Sequence, residues 1–253
     1  MNYGYFDEVN KEYVITRPDT PAPWANYLGS PAYGAIISNN AGGYSFVKSG
    51  ANGRILRYHF NSDDTPGRYI YLRDDETRDY WSASWQPVAK PLDVYKSECH
   101  HGTAYTNMIA DYAGIHSEVL YYVPLGKTYE VWSTKITNTS DKERKISAFS
   151  YAEFTNESNY EQDQVNLQYT LFITRTRFLG NKIVQSINEN VGKDATGSNH
   201  RERFIGLCGA PVTSYNGDKD AFLGRYHGYG NPAAVENGKC DNVLNYNANA
   251  CGA

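Results

Sequence analysis

The chain has 253 residues, 40% of them hydrophobic and 21% charged, which is enough to bury a proper core in one large domain or two small ones and too apolar for a disordered chain. A formal net charge of -4 and a pI near 5.9 argue against nucleic acid or an anionic membrane as a partner, and no apolar run approaches the roughly 18 to 20 residues that span a bilayer. The N-terminus carries neither a basic nor an apolar signal region, and the cysteines at 99, 208, 240 and 251 form no CxxC pair, so a reduced, cytoplasmic protein is expected.

Strand-like segments follow one another along the chain. Tyr13–Thr16, Tyr44–Lys48, Ile55–Phe60 and Arg68–Arg73 are the early candidates. In His116–Val123 the residues alternate, with Val119, Tyr121 and Val123 on one face and Leu120 and Tyr122 on the other, until Pro124-Leu-Gly126 ends the run. Glu130–Thr137 stops at the turn cluster Asn138-Thr-Ser-Asp141, and Lys145–Phe154 follows, so the three are expected to form a meander. Thr170–Thr176 and Asn181–Ile187 are joined through the turn Phe178–Asn181, and Asn190–Arg203 reads as a long loop. No 12-residue window carries a 3.6-residue apolar stripe, and there is no fixed-period repeat. The pattern predicts an all-β fold, a large antiparallel sandwich of two sheets occupying residues 1–253 as one domain. From Phe222 onward the chain turns Gly- and Asn-rich with no closing strand in view, which reads as a truncation within a longer protein.

Tyrosine is the compositional outlier: 23 residues against 9 Phe and 4 Trp. Its apolar ring and polar tip suit a sandwich surface, or a surface that stacks on sugars. No nucleophile elbow, P-loop or dinucleotide fingerprint occurs. Cys99-His100-His101 is the one cluster resembling metal ligands, but neighbours on a strand point to opposite faces and no partner pair is present, so no metal is expected. The acidic turn Asp74-Asp-Glu76 reads as solvated, and Glu153 and Asp163 as structural carboxylates ahead of a catalytic pair. Asn159–Thr170 packs amides, carboxylates and two tyrosines together; amides offer donor and acceptor at once, so this segment ranks first for contacts to sugar hydroxyls.

Four blocks near the N-terminus, Tyr3-Gly-Tyr-Phe-Asp7, Glu12-Tyr-Val-Ile-Thr16, Pro23-Trp24-x-Asn26-Tyr-Leu-Gly29 and Ile37–Phe46, follow at close spacing. With Gly67-Arg-Tyr-Ile-Tyr71, Asp79–Pro87, Phe149–Phe154, Asp163-Gln-Val-Asn166 and Asp220-Ala-Phe-Leu-Gly224, this series resembles glycoside hydrolase family 94, the cellobiose, cellodextrin and chitobiose phosphorylases, across essentially the whole chain. Asp74-Asp-Glu76 with Trp85-Gln-Pro-Val88 is similar to the chitobiose enzymes, whereas Asn159–Asp163 looks more like cellodextrin-type members.

The resemblance implies an N-terminal β-sandwich joined to an (α/α)6 barrel that would follow residue 253. There an aspartic acid protonates the glycosidic oxygen while inorganic phosphate, a co-substrate and no cofactor, attacks the anomeric carbon with inversion. It further implies a β-linked di- or oligosaccharide substrate, a homodimer in the full-length enzyme, and an acceptor subsite to which Asn166, Gln168 and Tyr169 contribute. No catalytic residue is expected within these residues, and the chain alone is expected to be inactive. A cellobiose or cellodextrin-type parent is the first reading, with N,N'-diacetylchitobiose the alternative; a self-standing carbohydrate-binding sandwich is a further one.

Overall fold

Residues 2–59, 63–165, 172–188, 200–245 and 251–253 are described by the computed structural model. The largest sheet has six antiparallel strands, β1 (Gly4–Asp7), β2 (Glu12–Ile15), β8 (Lys96–Gly102), β9 (Tyr105–Tyr112), β10 (Ile115–Tyr122) and β11 (Val131–Asn138), adjacent in that order. β10 shows the expected alternation: Ile115, Ser117, Val119 and Tyr121 are buried, and the residues between them are partly exposed. The β9–β10 hairpin closes in two residues, Ala113 and Gly114, both with positive φ (52° and 77°), the backbone sense that matches strand twist in so short a turn.

Facing this sheet are β3 (Ala25–Ser30), β4 (Tyr33–Ser38) and β5 (Gly43–Phe46), a second antiparallel meander. Asn26 ties the layers together, its Nδ2 donating to the carbonyls of Gly102 at 2.9 Å and Tyr105 at 2.8 Å. Beside them lies a four-stranded sheet with the order β16 (Cys251–Gly252), β12 (Ile146–Glu153), β6 (Tyr69–Asp74) and β7 (Tyr80–Ser82). All six residues of β6 are buried, because both of its faces are covered. Ile70 and Leu72 join the core shared with Ile15, Leu28, Ile37, Trp81, Met108 and Val119. Tyr69 and Tyr71 join a second core with Phe149, Tyr151, Phe222 and Val235. Two short helices supply the last of these, α2 (Lys219–Leu223) and α3 (Ala233–Asn237). A fourth sheet, β13 (Thr174–Leu179), β14 (Lys182–Asn188) and β15 (His200–Gly206), meets a small cluster of Leu56, Ala152 and Phe154 through Ile205.

The antiparallel sandwich is the predicted one, its inner layer divided among smaller sheets. Particular elements differ from expectation. β12 does not continue a meander with β11; it pairs with β6, Phe149 opposite Tyr71, because both strands bring aromatic side chains to the second core. The described part of Ile55–Phe60 makes isolated bridges, such as Leu56 to Phe154, instead of a strand. Of the expected loop Asn190–Arg203, residues 200–203 belong to β15 and the remainder lies outside the described residues. The C-terminal stretch does hold ordered elements, α2, α3 and β16, the last pairing with Ala152 and Glu153. The acidic turn is not solvated at its base: Asp74 is 2% exposed and bonds the Arg144 guanidinium.

Part of the tyrosine goes inward. Tyr33, Tyr58, Tyr69, Tyr71, Tyr95, Tyr121 and Tyr151 are all buried. A tyrosine can enter a core when its hydroxyl finds an acceptor, and Tyr71 donates to the Tyr229 carbonyl at 2.8 Å, Tyr95 to Ser82 at 2.8 Å and Tyr121 to Arg68 at 3.1 Å. Arg68 is itself fully buried, its Nε 2.9 Å from both carboxylate oxygens of Glu130. Arg68→Met strands the Glu130 charge and is expected to lower the unfolding free energy by about 3–5 kcal/mol, read from the urea midpoint. Arg68→Met with Glu130→Met should recover most of that loss; a double variant as unstable as the single one would contradict the ion-pair account.

Candidate functional site

The segment expected to contact sugar begins as a short helix, α1 (Tyr160–Val165). Asn159 starts it, its Oδ1 accepting from the Gln162 amide at 2.9 Å while its Nδ2 donates to Asn52 at 2.7 Å. Arg54 lies between two rings, 3.6 Å from the Tyr44 centroid and 4.5 Å from that of Tyr160, which fixes α1 against the sandwich. Asp163 points inward, and Glu161, Gln164 and Val165 face solvent. Asn166, Gln168 and Tyr169, the expected acceptor contacts, lie outside the described residues.

What holds this segment is a buried cluster of charges. The Arg57 guanidinium reaches Asp163 with Nε at 3.1 Å and Nη2 at 2.8 Å, and with Nη1 it reaches Glu153 at 3.1 Å. Glu153, at the end of β12, also accepts from Lys219 of α2 at 2.9 Å and from the hydroxyls of Tyr229 at 2.7 Å and Tyr151 at 3.2 Å. Asp163 accepts a further bond from the Asn156 amide at 2.7 Å. Two cations balance two carboxylates, and each carboxylate is held by several donors. Burial alone would push the Glu153 carboxyl up, but Lys219 and Arg57, with the Tyr229 hydroxyl, hold it down to about 2. Burial, the Glu153 charge and its hydrogen bond raise Tyr229. A carboxylate this acidic is ionised at every working pH, so Glu153 does not serve as a general acid, and Asp163 is locked to the same guanidinium.

Arg203 repeats the device nearby, donating to the carbonyls of Thr155 at 2.7 Å and Arg54 at 2.7 Å and to Ser158 Oγ at 2.6 Å. The Asn156 side chain is fully buried, and neither polar atom of its amide has a hydrogen-bond partner among the described residues. The Cys99-His100-His101 cluster is split between faces. Cys99 is buried, and His101 faces the Trp24 carbonyl at 3.0 Å and Thr106 at 2.9 Å. His100 meets Glu12 at 2.8 Å. Among the described residues no group of three or more His, Cys, Asp or Glu could hold a metal ion. No described helix is long and apolar enough to cross a membrane.

Reasoning from sequence missed Arg57, Arg203 and Lys219. The available signal was a cation set within an apolar run, Ile55-Leu-Arg57-Tyr58 and Arg203-Phe-Ile205, where only a buried partner makes the charge tolerable. Because the folded-state acidity of Glu153 is depressed from an ordinary value of 4.5 to about 2, its contribution to stability is present above pH 5 and is lost as pH falls through 2. That contribution is on the order of 3 kcal/mol. Glu153→Gln should therefore be destabilised at pH 7 and show a flatter stability profile between pH 5 and 2 than the parent; equal slopes would refute the assignment.

Similarity to known proteins agrees with this architecture. Residues 11–253 match the family model described as the glycosyl hydrolase 94 supersandwich domain. The N,N'-diacetylchitobiose phosphorylase of Vibrio furnissii is 45% identical over 100% of this chain, and that of Vibrio proteolyticus is 44% identical over 100% of it; in each case 31% of the relative's length is covered. The solabiose phosphorylase of Paenibacillus borealis is 29% identical over 96% of the chain and 31% of its own length. The chain thus spans under a third of these curated relatives, and in fold and sequence it belongs to the glycosyl hydrolase 94 family as a supersandwich domain.

Proposed function

We propose that the chain is the N-terminal, non-catalytic part of an inverting glycoside phosphorylase that splits N,N'-diacetylchitobiose with inorganic phosphate. The observation that carries this reading is the similarity to the two Vibrio enzymes, at 45% and 44% identity across the whole chain, against 29% for the solabiose phosphorylase. It favours the acetylated disaccharide over the cellobiose or cellodextrin-type substrate that the Asn159–Asp163 segment suggests. In this reading the sandwich forms one wall of the substrate entrance and takes part in a cytoplasmic homodimer, the catalytic acid and the phosphate site belong to a following barrel, and the 253 residues alone do not turn substrate over.

Arg57 acts here as a positioning group. It fixes Asp163 in α1, and the chain from Val165 leads directly into Asn166, Gln168 and Tyr169, the residues proposed to meet the acceptor sugar. A carbohydrate-binding module without enzymatic context is the competing reading, and phosphate-dependent turnover separates the two.

The full-length gene product, given N,N'-diacetylchitobiose and phosphate, should release N-acetylglucosamine 1-phosphate, with kcat/KM about 100-fold above that for cellobiose. The opposite preference would restore the cellodextrin reading, and absence of sugar phosphate with either disaccharide would sink the phosphorylase assignment. In the synthetic direction Tyr169→Ala should raise the acceptor KM roughly 30-fold, equivalent to about 2 kcal/mol. An unchanged KM would remove Tyr169 from the subsite.

A further inference from the structure

A cavity of about 450 Å³ opens beside the turn that follows β6, walled by that turn, by Lys145 and by the end of α3. Its cations are Arg73, Arg78 and Lys145, and its carboxylates are Asp75 and Glu236. Both carboxylates are already engaged. Asp75 accepts from Arg73 Nη1 at 2.5 Å and from Ser147 Oγ at 2.9 Å. Glu236 accepts from the Tyr80 hydroxyl at 3.2 Å and faces His227 Nδ1 at 3.6 Å.

The cations are not satisfied in the same way. The side chains of Arg78 and Lys145 are exposed and have no hydrogen-bond or ion-pair partner among the described residues. Arg73 is 6% exposed; its Nη1 is taken by Asp75, its Nη2 donates to the Glu236 carbonyl at 3.3 Å, and its Nε is buried with no partner among the described residues. The guanidinium is held in place from one side by Gly238, which has φ of 77° and where a Cβ would stand 2.9 Å from Arg73 Nη1. Only a glycine permits that approach of backbone to guanidinium. Arg73 is paired with Asp75, so Arg78 and Lys145 against Glu236 leave the cavity net positive, which suits an oxyanion: the Arg78 fork supplies directed hydrogen bonds and the lysine a point charge. The volume lies within the roughly 300–1,000 Å³ range of small-molecule pockets, with room beyond the anion itself, and the exposed Asn237 lines the remaining wall.

We propose that this cavity is an oxyanion site for a phosphorylated monosaccharide, its phosphate held by Arg78 and Lys145 in front of the Arg73–Asp75 pair and its hydroxyls met by Asn237. The site needs no catalytic domain, so it stands whether or not the parent is a phosphorylase. Isothermal titration of the 253-residue chain with glucose 1-phosphate, inorganic phosphate and glucose tests it. Glucose 1-phosphate should bind saturably, inorganic phosphate more weakly and glucose not at all, with affinity falling as salt is added. Arg78→Ala with Lys145→Ala, both at exposed positions, should weaken glucose 1-phosphate at least about tenfold while the thermal unfolding transition stays in place. The charge-preserving pair Arg78→Lys with Lys145→Arg should retain binding, and Lys142→Ala, outside the cavity, should leave it unchanged. No saturable binding, or binding indifferent to the double alanine change, overturns the proposal. Inorganic phosphate binding as tightly as its sugar ester overturns the monosaccharide assignment.

Discussion

One guanidinium, that of Arg57, bridges carboxylates from two consecutive elements that lie far from it in sequence, and the arrangement on that side of the sandwich depends on it. Taking an ion out of water costs several kcal/mol even after the protein relaxes, so none of Arg57, Glu153, Asp163 and Lys219 is stable in its place without the others. That mutual requirement locks the end of β12 to α1 and to the start of α2. It also explains why a polar segment like Asn159–Val165 adopts one conformation. Its anchor is electrostatic, since Asp163 and the Tyr160–Arg54 stack carry the attachment and no apolar residue of α1 is buried.

Ring packing carries much of the second core. β6 can be buried on both faces because the tyrosines it contributes to the second core neighbour other aromatics: Tyr69 stacks on Tyr151 at 6.3 Å, and Tyr151 on Phe222 at 4.9 Å. Such pairs add about 0.5–1.5 kcal/mol each beyond the area they bury. Polar groups at the tips of these rings then select the loops above them, as Tyr71 does with the Tyr229 carbonyl. The loop carrying Tyr229 is the one whose hydroxyl completes the Glu153 shell, so packing and charge are coupled there.

Strands with one face in water were legible in the sequence, because period-two alternation has a direct physical cause; β10 is the clear case, whereas β11 is exposed along most of its length, and the Pro124 and Asn138 boundaries hold within a residue or two. Partner choice was not legible. Nothing local to Lys145–Phe154 says that it leaves β11 and joins β6, since that outcome depends on aromatic faces contributed by distant residues. Helices of five or six residues such as α2 and α3 are too short to show an apolar period, although the Asp218 side chain that accepts from the Ala221 amide is a recognisable start signal. At the candidate site the polar character of Asn159–Asp163 was readable, but its inward use of Asp163 was not, because the partner sits at Arg57. Asn166, Gln168 and Tyr169 lie outside the described residues.

The register of β6 carries a consequence for how the chain is made. Tyr71 waits for Phe149 and Ile15 for Cys99 before either strand finds its second ladder neighbour. During synthesis β6 gains β7 within a few residues, Tyr71 opposite Ser82, but its other edge and its aromatic face stay uncovered until β12 is made. At roughly 5–20 residues per second that interval lasts several seconds, long enough for an exposed apolar ribbon to meet another nascent chain. Pairings this distant in sequence also raise contact order, which slows folding. The early half of this sandwich is thus a client for chaperones until its β12 arrives.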